Sequence, residues 1–303
     1  MKKIVTHDSS FHADDVFAVA TLQIYLDKIG ETYKVVRSRD KEIIDGADFV
    51  VDTGHVYDEE ENRFDHHQES FKETGYLDIP YSSFGLVWKH FGKQICGDGS
   101  VGKHVWTKLR NEFVTVIDAN DNGIVTAAEA VKGLEPLDPE IFIFSWRPHY
   151  NERTDENLYK GFIEAVKFAK GFLERQIKLA QAKEELRDEF ELVLKAKKNI
   201  FKTDSLKVLV LPKPLPWKEF IDLNNNDFDF VVHERENGHW MAVGVPISRN
   251  NMTVKVKKNS WLGLDTEALT EKSGVKDMVF YHKTGYILVA KTKETVLEAL
   301  GKF

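Results

Sequence analysis

Three short β-branched runs constrain the fold of this chain more than any other feature. Ile4-Val5-Thr6 ends in a polar turn. From Asp14 to Lys28 apolar residues then fall at helical spacing, with Val16, Ala20 and Ile24 on one stripe and Val19 and Leu22 on adjoining rows. Residues 33–36 and 49–51 are again compact and β-branched, the pattern of strands buried on both faces. Strands alternating with helices predict a parallel sheet covered by helices, an α/β fold. At 303 residues the chain exceeds one comfortable core, so two domains are expected.

Residues 82–91 and 104–117 read as helices, followed by a third at 127–132. Residues 156–198 carry one long helical pattern whose apolar line is Leu158, Phe162, Val166, Ala169, Leu173, Ile177 and Ala180. A helix of that length reads as a connector between domains. Beyond Thr203, strand-like runs at 206–211, 228–232, 241–245, 253–256 and 286–290 alternate with polar links and with helices at 265–272 and from Lys293. The expected architecture is an N-terminal parallel-sheet domain with its long connecting helix (residues 1–200) and a smaller α+β domain (204–303), with the active site in the cleft between them.

The net charge of −7 argues against broad adhesion to nucleic acid or anionic membrane, but leaves room for a local basic groove. The single cysteine, Cys96, excludes an intramolecular disulfide and a cysteine-based zinc cluster and fits a reducing compartment. No signal-peptide pattern opens the sequence. No apolar run approaches the roughly 18 to 20 residues that span a bilayer. A cytoplasmic protein without a membrane partner is expected.

Three pieces rich in metal-binding side chains each follow a predicted strand: His7-Asp8-Ser9-Ser10-Phe11-His12-Ala13-Asp14-Asp15, Asp52-Thr53-Gly54-His55 and Asp65-His66-His67. In a parallel sheet the carboxyl ends of the strands lie along one edge, so distant loops converge there. Imidazole with carboxylate suits Mn, Zn, Fe or Co better than an all-oxygen Ca or Mg cage. So many ligands exceed the need of one tetrahedral zinc and suit two ions bridged by a carboxylate. Singly, each piece has an ordinary role: Asp14 or Asp15 as a helix cap, Asp52 as a turn residue, His67 as a core histidine.

These residues resemble a known family. Asp65-His66-His67 is the signature triplet of the DHH phosphoesterases, which include inorganic pyrophosphatases, RecJ-type exonucleases and oligoribonucleases. Phe11-His12-Ala13-Asp14-Asp15, Val51-Asp52-Thr53-Gly54, Arg63-Phe64-Asp65-His66-His67-Gln68, Gly85-Leu86-Val87-Trp88-Lys89-His90-Phe91-Gly92 and Ile117-Asp118-Ala119-Asn120-Asp121 are similar, more specifically, to the melanocyte-proliferating-gene family. Its eukaryotic members are described as RNA exonucleases. The resemblance implies a metal-dependent hydrolase with two divalent ions, manganese first, with Zn, Co, Fe or Mg as alternatives. It implies His7 and His12 on one ion, Asp14 and His66 on the other, and Asp52 as the bridge. His12 departs from the wider superfamily, which usually has aspartate there. Asp65 would orient a histidine, and His67 would meet a phosphate oxygen. RNA or a short oligonucleotide is the implied substrate, a small phosphate ester the alternative, and a homo-oligomer is compatible with either.

Asp118 and Asp121 lie three apart on a predicted helix and share a face, so one of them is the expected further ligand, Asp118 first. Residues 118–129 also match an EF-hand loop, with oxygen ligands at positions 1, 3, 5, 9 and 12 and glycine at 6, which opens a calcium-binding reading. Arg37 and Arg39 follow the second strand, where they can fork onto phosphate oxygens or form surface ion pairs. His282-Lys283-Thr284-Gly285-Tyr286 resembles the substrate loop of DHH-associated C-terminal domains. There His282 and Lys283 would face an anion, and Gly285 would permit close backbone approach.

Overall fold

The structure is a computed structural model that describes residues 1–124, 138–225, 227–248 and 251–303. The expected helix at 127–132 lies outside them. The chain forms two compact units, Met1–Glu184 and Glu185–Phe303.

In the first unit the elements are β1 (Lys2–Thr6), α1 (Ala13–Lys28), β2 (Tyr33–Arg37), α2 (Lys41–Asp45), β3 (Phe49–Val51), β4 (Tyr57–Asp58), β5 (Arg63–Phe64), α3 (Ser83–Cys96), α4 (Gly99–Leu109), α5 (Thr115–Asp121), α6 (Glu140–Phe144) and α7 (Asp155–Glu184). A π-helical turn, Arg110–Val114, runs α4 into α5. The sheet order is β2-β1-β3-β5-β4, parallel except for the edge strand β4, so the parallel α/β expectation holds. Helix α1 is buried continuously from Ala13 to Leu22, because it packs between α3 and α7. A helix apolar on every side belongs inside a core. Its first turn is therefore interior as well, and that places Asp14 and Asp15 out of solvent.

The helical pattern read over 156–198 is two helices, α7 and then α8 (Arg187–Lys195). No proline or glycine separates them; the apolar line changes partner. Leu158 through Ala180 pack into the first unit's core, whereas Phe190 and Val193 belong to a cluster of the second.

After α8 the second unit comprises β6 (Ile200–Lys202), β7 (Lys207–Val210), α9 (Trp217–Phe220), β8 (Phe230–Glu234), β9 (Trp240–Gly244), β10 (Pro246–Ser248), β11 (Asn251–Val254), α10 (Thr266–Ser273), β12 (Met278–Tyr281), β13 (Ile287–Ala290) and α11 (Lys293–Leu300). Its main sheet runs β12-β13-β9-β8-β7-β6, antiparallel except for the β7–β8 pair. Side chains alternate across it. Val208, Phe230 and Ala242 face one apolar cluster with α10 and α11. Leu209, Val231 and Val243 face another with α8 and α9. Among the described residues no helix is long and apolar enough to cross a membrane.

Candidate metal centre

Strand register brings the site together. Thr6 pairs with Val51 and Val51 with Phe64, so the next residues, His7, Asp52 and Asp65, leave three adjacent parallel strands side by side. Neighbouring strands lie about 4.8 Å apart. Asp52 holds φ of 54°, the left-handed region that aspartate tolerates better than most side chains. The first turn of α1 adds Asp14 and Asp15, at the helix end whose dipole favours negative charge.

Three groups of ligand atoms lie within 4.8 Å of one another: His7, Asp15 and Asp52; Asp14, His66 and Asp121; Asp52, His66 and His67. Asp52 spans them. Its Oδ2 is 3.2 Å from His7 Nε2, and its Oδ1 is 3.5 Å from both His66 Nε2 and His67 Nδ1. His7 Nε2 also lies 3.2 Å from Asp15 Oδ2, and His66 Nε2 lies 3.3 Å from Asp121 Oδ2.

The electrostatics are those of a place short of positive charge. Burial, and then the charges of Asp52, Asp121 and Asp15, push Asp14 well above the usual carboxylate range. Burial likewise raises Asp121 to about 6, with His66 opposing and the Asp52 charge adding to it. Burial disfavours the charged forms of His7 and Asp52 too, but their hydrogen bonds win. His7, bonded to Asp15 and Asp52, rises to about 10, while Asp52, bonded to His66 and His7, is held below the ordinary range. Both oxygens of Asp14 are buried without a hydrogen-bond partner. Buried polar atoms are rarely left so. Imidazole nitrogen and carboxylate oxygen at these separations fit a divalent cation, which would supply the missing partner.

Two expected ligands are placed elsewhere. His12 is the residue before α1; its backbone N–H donates to Asp15 Oδ1 at 2.8 Å, and its ring lies 6.2 Å from that of Phe144. It lines the cavity mouth but joins none of the ligand groups. Asp118 is also outside them. Its Oδ1 accepts the Ser82 N–H at 3.1 Å and the Ser82 hydroxyl at 2.7 Å, at the start of α3. Burial raises it to about 7 despite these bonds. Asp118 thus takes the place of a helix cap for α3, and Asp121, one turn further along α5, reaches the ligand cluster. This also bears on the calcium reading. Asp118 to Asp121 form the last turn of a helix with their carboxylates turned to separate partners, and residues 125–129 of that motif lie outside the described residues.

Asp65 accepts from the His55 N–H at 2.7 Å and the His67 N–H at 3.0 Å, and lies 2.8 Å from His67 Nδ1. That last contact is the leading cause of the raised His67 pKa. His67 is half exposed and, with His7, His12, Arg39, Asp52, Thr53, His55 and Asp65, lines a cavity of about 150 Å³. Arg39 is exposed there, its Nε 3.3 Å from Asp8 Oδ1. Arg37 is turned away from the cavity: it donates to the Ser9 carbonyl at 2.9 Å and stacks 4.5 Å from the Phe162 ring centre. Arg147 donates to the Phe11 carbonyl and Arg153 to the Ser10 hydroxyl. Four guanidinium groups therefore hold four consecutive loop residues, Asp8 to Phe11.

In the second unit His282 Nδ1 lies 2.7 Å from the Thr284 hydroxyl, and Gly285 holds φ of 78°. A Cβ at Gly285 would fall 2.7 Å from Lys257 Cβ, so only glycine fits. His282, Lys283 and Lys257 line a cavity of about 720 Å³ within that unit.

Asp15, Ser83, Glu140, Arg147 and Arg153 were not singled out as site residues by sequence reasoning. Asp15 could have been, since it adjoins Asp14. Glu140 Oε1 accepts the Ala13 N–H at 3.3 Å from 127 residues away, and nothing local in the sequence announces such a contact.

The chain has relatives among known proteins. An MYG1 protein of Dictyostelium discoideum is 32% identical over 315 residues, covering 97% of this chain and 94% of its own length. The MYG1 exonuclease of Homo sapiens is 31% identical over 328 residues, covering 97% and 84%. A crystal structure of RecJ with Mn2+ from Thermus thermophilus aligns at 14% identity and a TM-score of 0.28, over 99% of this chain and 52% of that one. The family model described as uncharacterised protein family UPF0160 matches residues 3–302, and the chain belongs to that family.

Proposed function

We propose that this chain is a divalent-metal-dependent phosphoesterase that cleaves phosphodiester bonds exonucleolytically, with RNA or a short oligonucleotide as substrate. The observation that carries the reading is Asp14, whose two carboxylate oxygens are buried and unpartnered in one ligand group with His66 and Asp121. The relatives named exonucleases support the reaction class. His7, Asp15 and Asp52 would hold one cation, and Asp14, His66, Asp121 and Asp52 the second. When bound, two such cations acidify a water nucleophile and neutralise charge developing on the phosphoryl group.

The protein's own residues account for the remaining requirements. Asp52 offers one oxygen to each cluster. His67, its Nδ1 held by Asp65, would present Nε2 to a phosphate oxygen, and the bond to Asp65 favours the protonated ring. Arg39 supplies an exposed cation at the same cavity. The cavity's size admits a phosphoryl group but not a whole nucleotide, so binding of the rest of the substrate falls to other surfaces. We assign His282, Lys283 and the Gly285 turn of the second unit to anionic substrate groups. This gives the first unit the cations and the second the grip.

The test is release of mononucleotides from a 5′-labelled RNA oligonucleotide after EDTA treatment and repletion with Mn2+. An Asp14→Ala/His66→Ala double variant should be inactive, and full activity in that variant would overturn the assignment. Turnover of pyrophosphate or small esters without shortening of the oligonucleotide would move the substrate to the small-molecule class while leaving the metal reading intact.

A further inference from the structure

Asp52 must keep one oxygen toward each cluster, yet the groups now fixing it are the groups that cations would recruit. His7 and His66 contact Asp52 through Nε2, at 3.2 and 3.5 Å. A histidine that ligates a cation turns a lone pair toward it and has no proton on that nitrogen to donate. The Nδ1 proton of His67 is committed to Asp65 at 2.8 Å. Among the described residues one donor from a packed element stays available: the Ser83 hydroxyl, 3.0 Å from Asp52 Oδ1. Against an ionised carboxylate, which only accepts, the hydroxyl is the donor.

We propose that Ser83 is a positioning residue that fixes the Asp52 carboxylate so that one oxygen serves each cation. The inference rests on the metal-dependent reading above. Ser83 is well placed for it. It is fully buried and is the first residue of α3. The preceding Ser82, equally buried, is anchored by two hydrogen bonds to Asp118 of α5. Gly85 lets that anchor form, since a Cβ there would lie 2.4 Å from Asp118 Oδ1. The same short helix α5 carries Asp121 into the other cluster. Two adjacent serines thus tie the shared carboxylate and the Asp121 helix to one rigid helix start. Partners of this kind, one step behind the ligands, typically change metal affinity about 10- to 100-fold.

The experiment compares Mn2+ binding by calorimetry and by equilibrium dialysis with metal analysis in the full-length wild type, Ser83→Ala and Ser83→Cys. Cysteine is close to serine in volume but is a weak donor, so it guards against a packing defect in the alanine variant. The expected result is two ions per wild-type chain, and in both variants an affinity for at least one ion weaker by about 10- to 100-fold, with each variant folded in EDTA and its melting temperature further below wild type with Mn2+ than in EDTA. Wild-type affinity and stoichiometry in either folded variant would overturn the role of Ser83 and leave the proposed function standing. A wild type that takes up no cation at all would overturn both.

Discussion

Asp14→Asn removes one negative charge from the centre while keeping the shape of the side chain. In the cation-free protein Asp14 is buried without a partner and faces Asp52, Asp121 and Asp15. An unsatisfied buried polar group costs about 1–3 kcal/mol, more when charged. Asparagine still leaves an amide to satisfy, so the net gain in EDTA should be about 1–2 kcal/mol. For a unit of this size that is roughly 2–4 °C in melting temperature per kcal/mol. With Mn2+ the order should invert. If the wild type binds about a thousandfold below the free Mn2+ concentration, it gains about 4 kcal/mol. A variant weakened about 100-fold would gain only about 1.4 kcal/mol under the same conditions. Differential scanning fluorimetry at about pH 8, with EDTA and with Mn2+, measures both. A variant that is less stable than wild type by the same amount in the two buffers would refute the reasoning, because Asp14 would then be a structural group and not a ligand.

Asp118→Ala should cost about 1–3 kcal/mol without Mn2+, since it strips Ser82 of its buried acceptor, and at least as much with it, since the same anchor holds the helix of Asp121; chemical denaturation in both buffers checks this. The EDTA-treated protein should melt at lower temperature as pH rises from about 5 to about 8. Asp118 and Asp121 titrate near 7 and 6 when folded against 3.8 ordinarily, so the folded state binds more protons across that window and stability declines through it. His7, raised from 6.5 to about 10, acts in the same direction: its contribution is complete below about 6.5 and lost as pH passes 10. Saturating Mn2+ should flatten or reverse that slope, because bound cations favour deprotonated ligands. Gly285→Ala should raise KM for an oligonucleotide while leaving Mn2+ stoichiometry unchanged, because its Cβ meets Lys257 within the second unit.

Much of the fold was legible because period and length reported it directly: β3 is the Phe49–Val51 run, and the apolar line from Leu158 to Ala180 is buried throughout α7. The break before α8 was not legible, because no local residue forces it. The strands β6, β10 and β12 were not legible, and the runs that were read at 206–211, 228–232, 241–245, 253–256 and 286–290 correspond to β7, β8, β9, β11 and β13. At the site, sequence showed which loops carry imidazole and carboxylate but not which side chain each helix turn aims inward. His12 and Asp15 exchange roles because α1 begins at Ala13, which makes His12 the flanking residue and brings Asp15 round to its backbone N–H. Asp118 and Asp121 do share a face of α5, but the face passes first over the start of α3 and only then over His66. Spacing along a helix cannot report what lies opposite each turn.

The consecutive placement of Asp14 and Asp15 has a consequence for how such a centre can be altered. Successive helical residues project about 100° apart, so one peptide step feeds both halves of the centre. A rotation of α1 moves Asp14 and Asp15 together, so if the proposed cations occupy the two groups, a change at one of them is felt at the other.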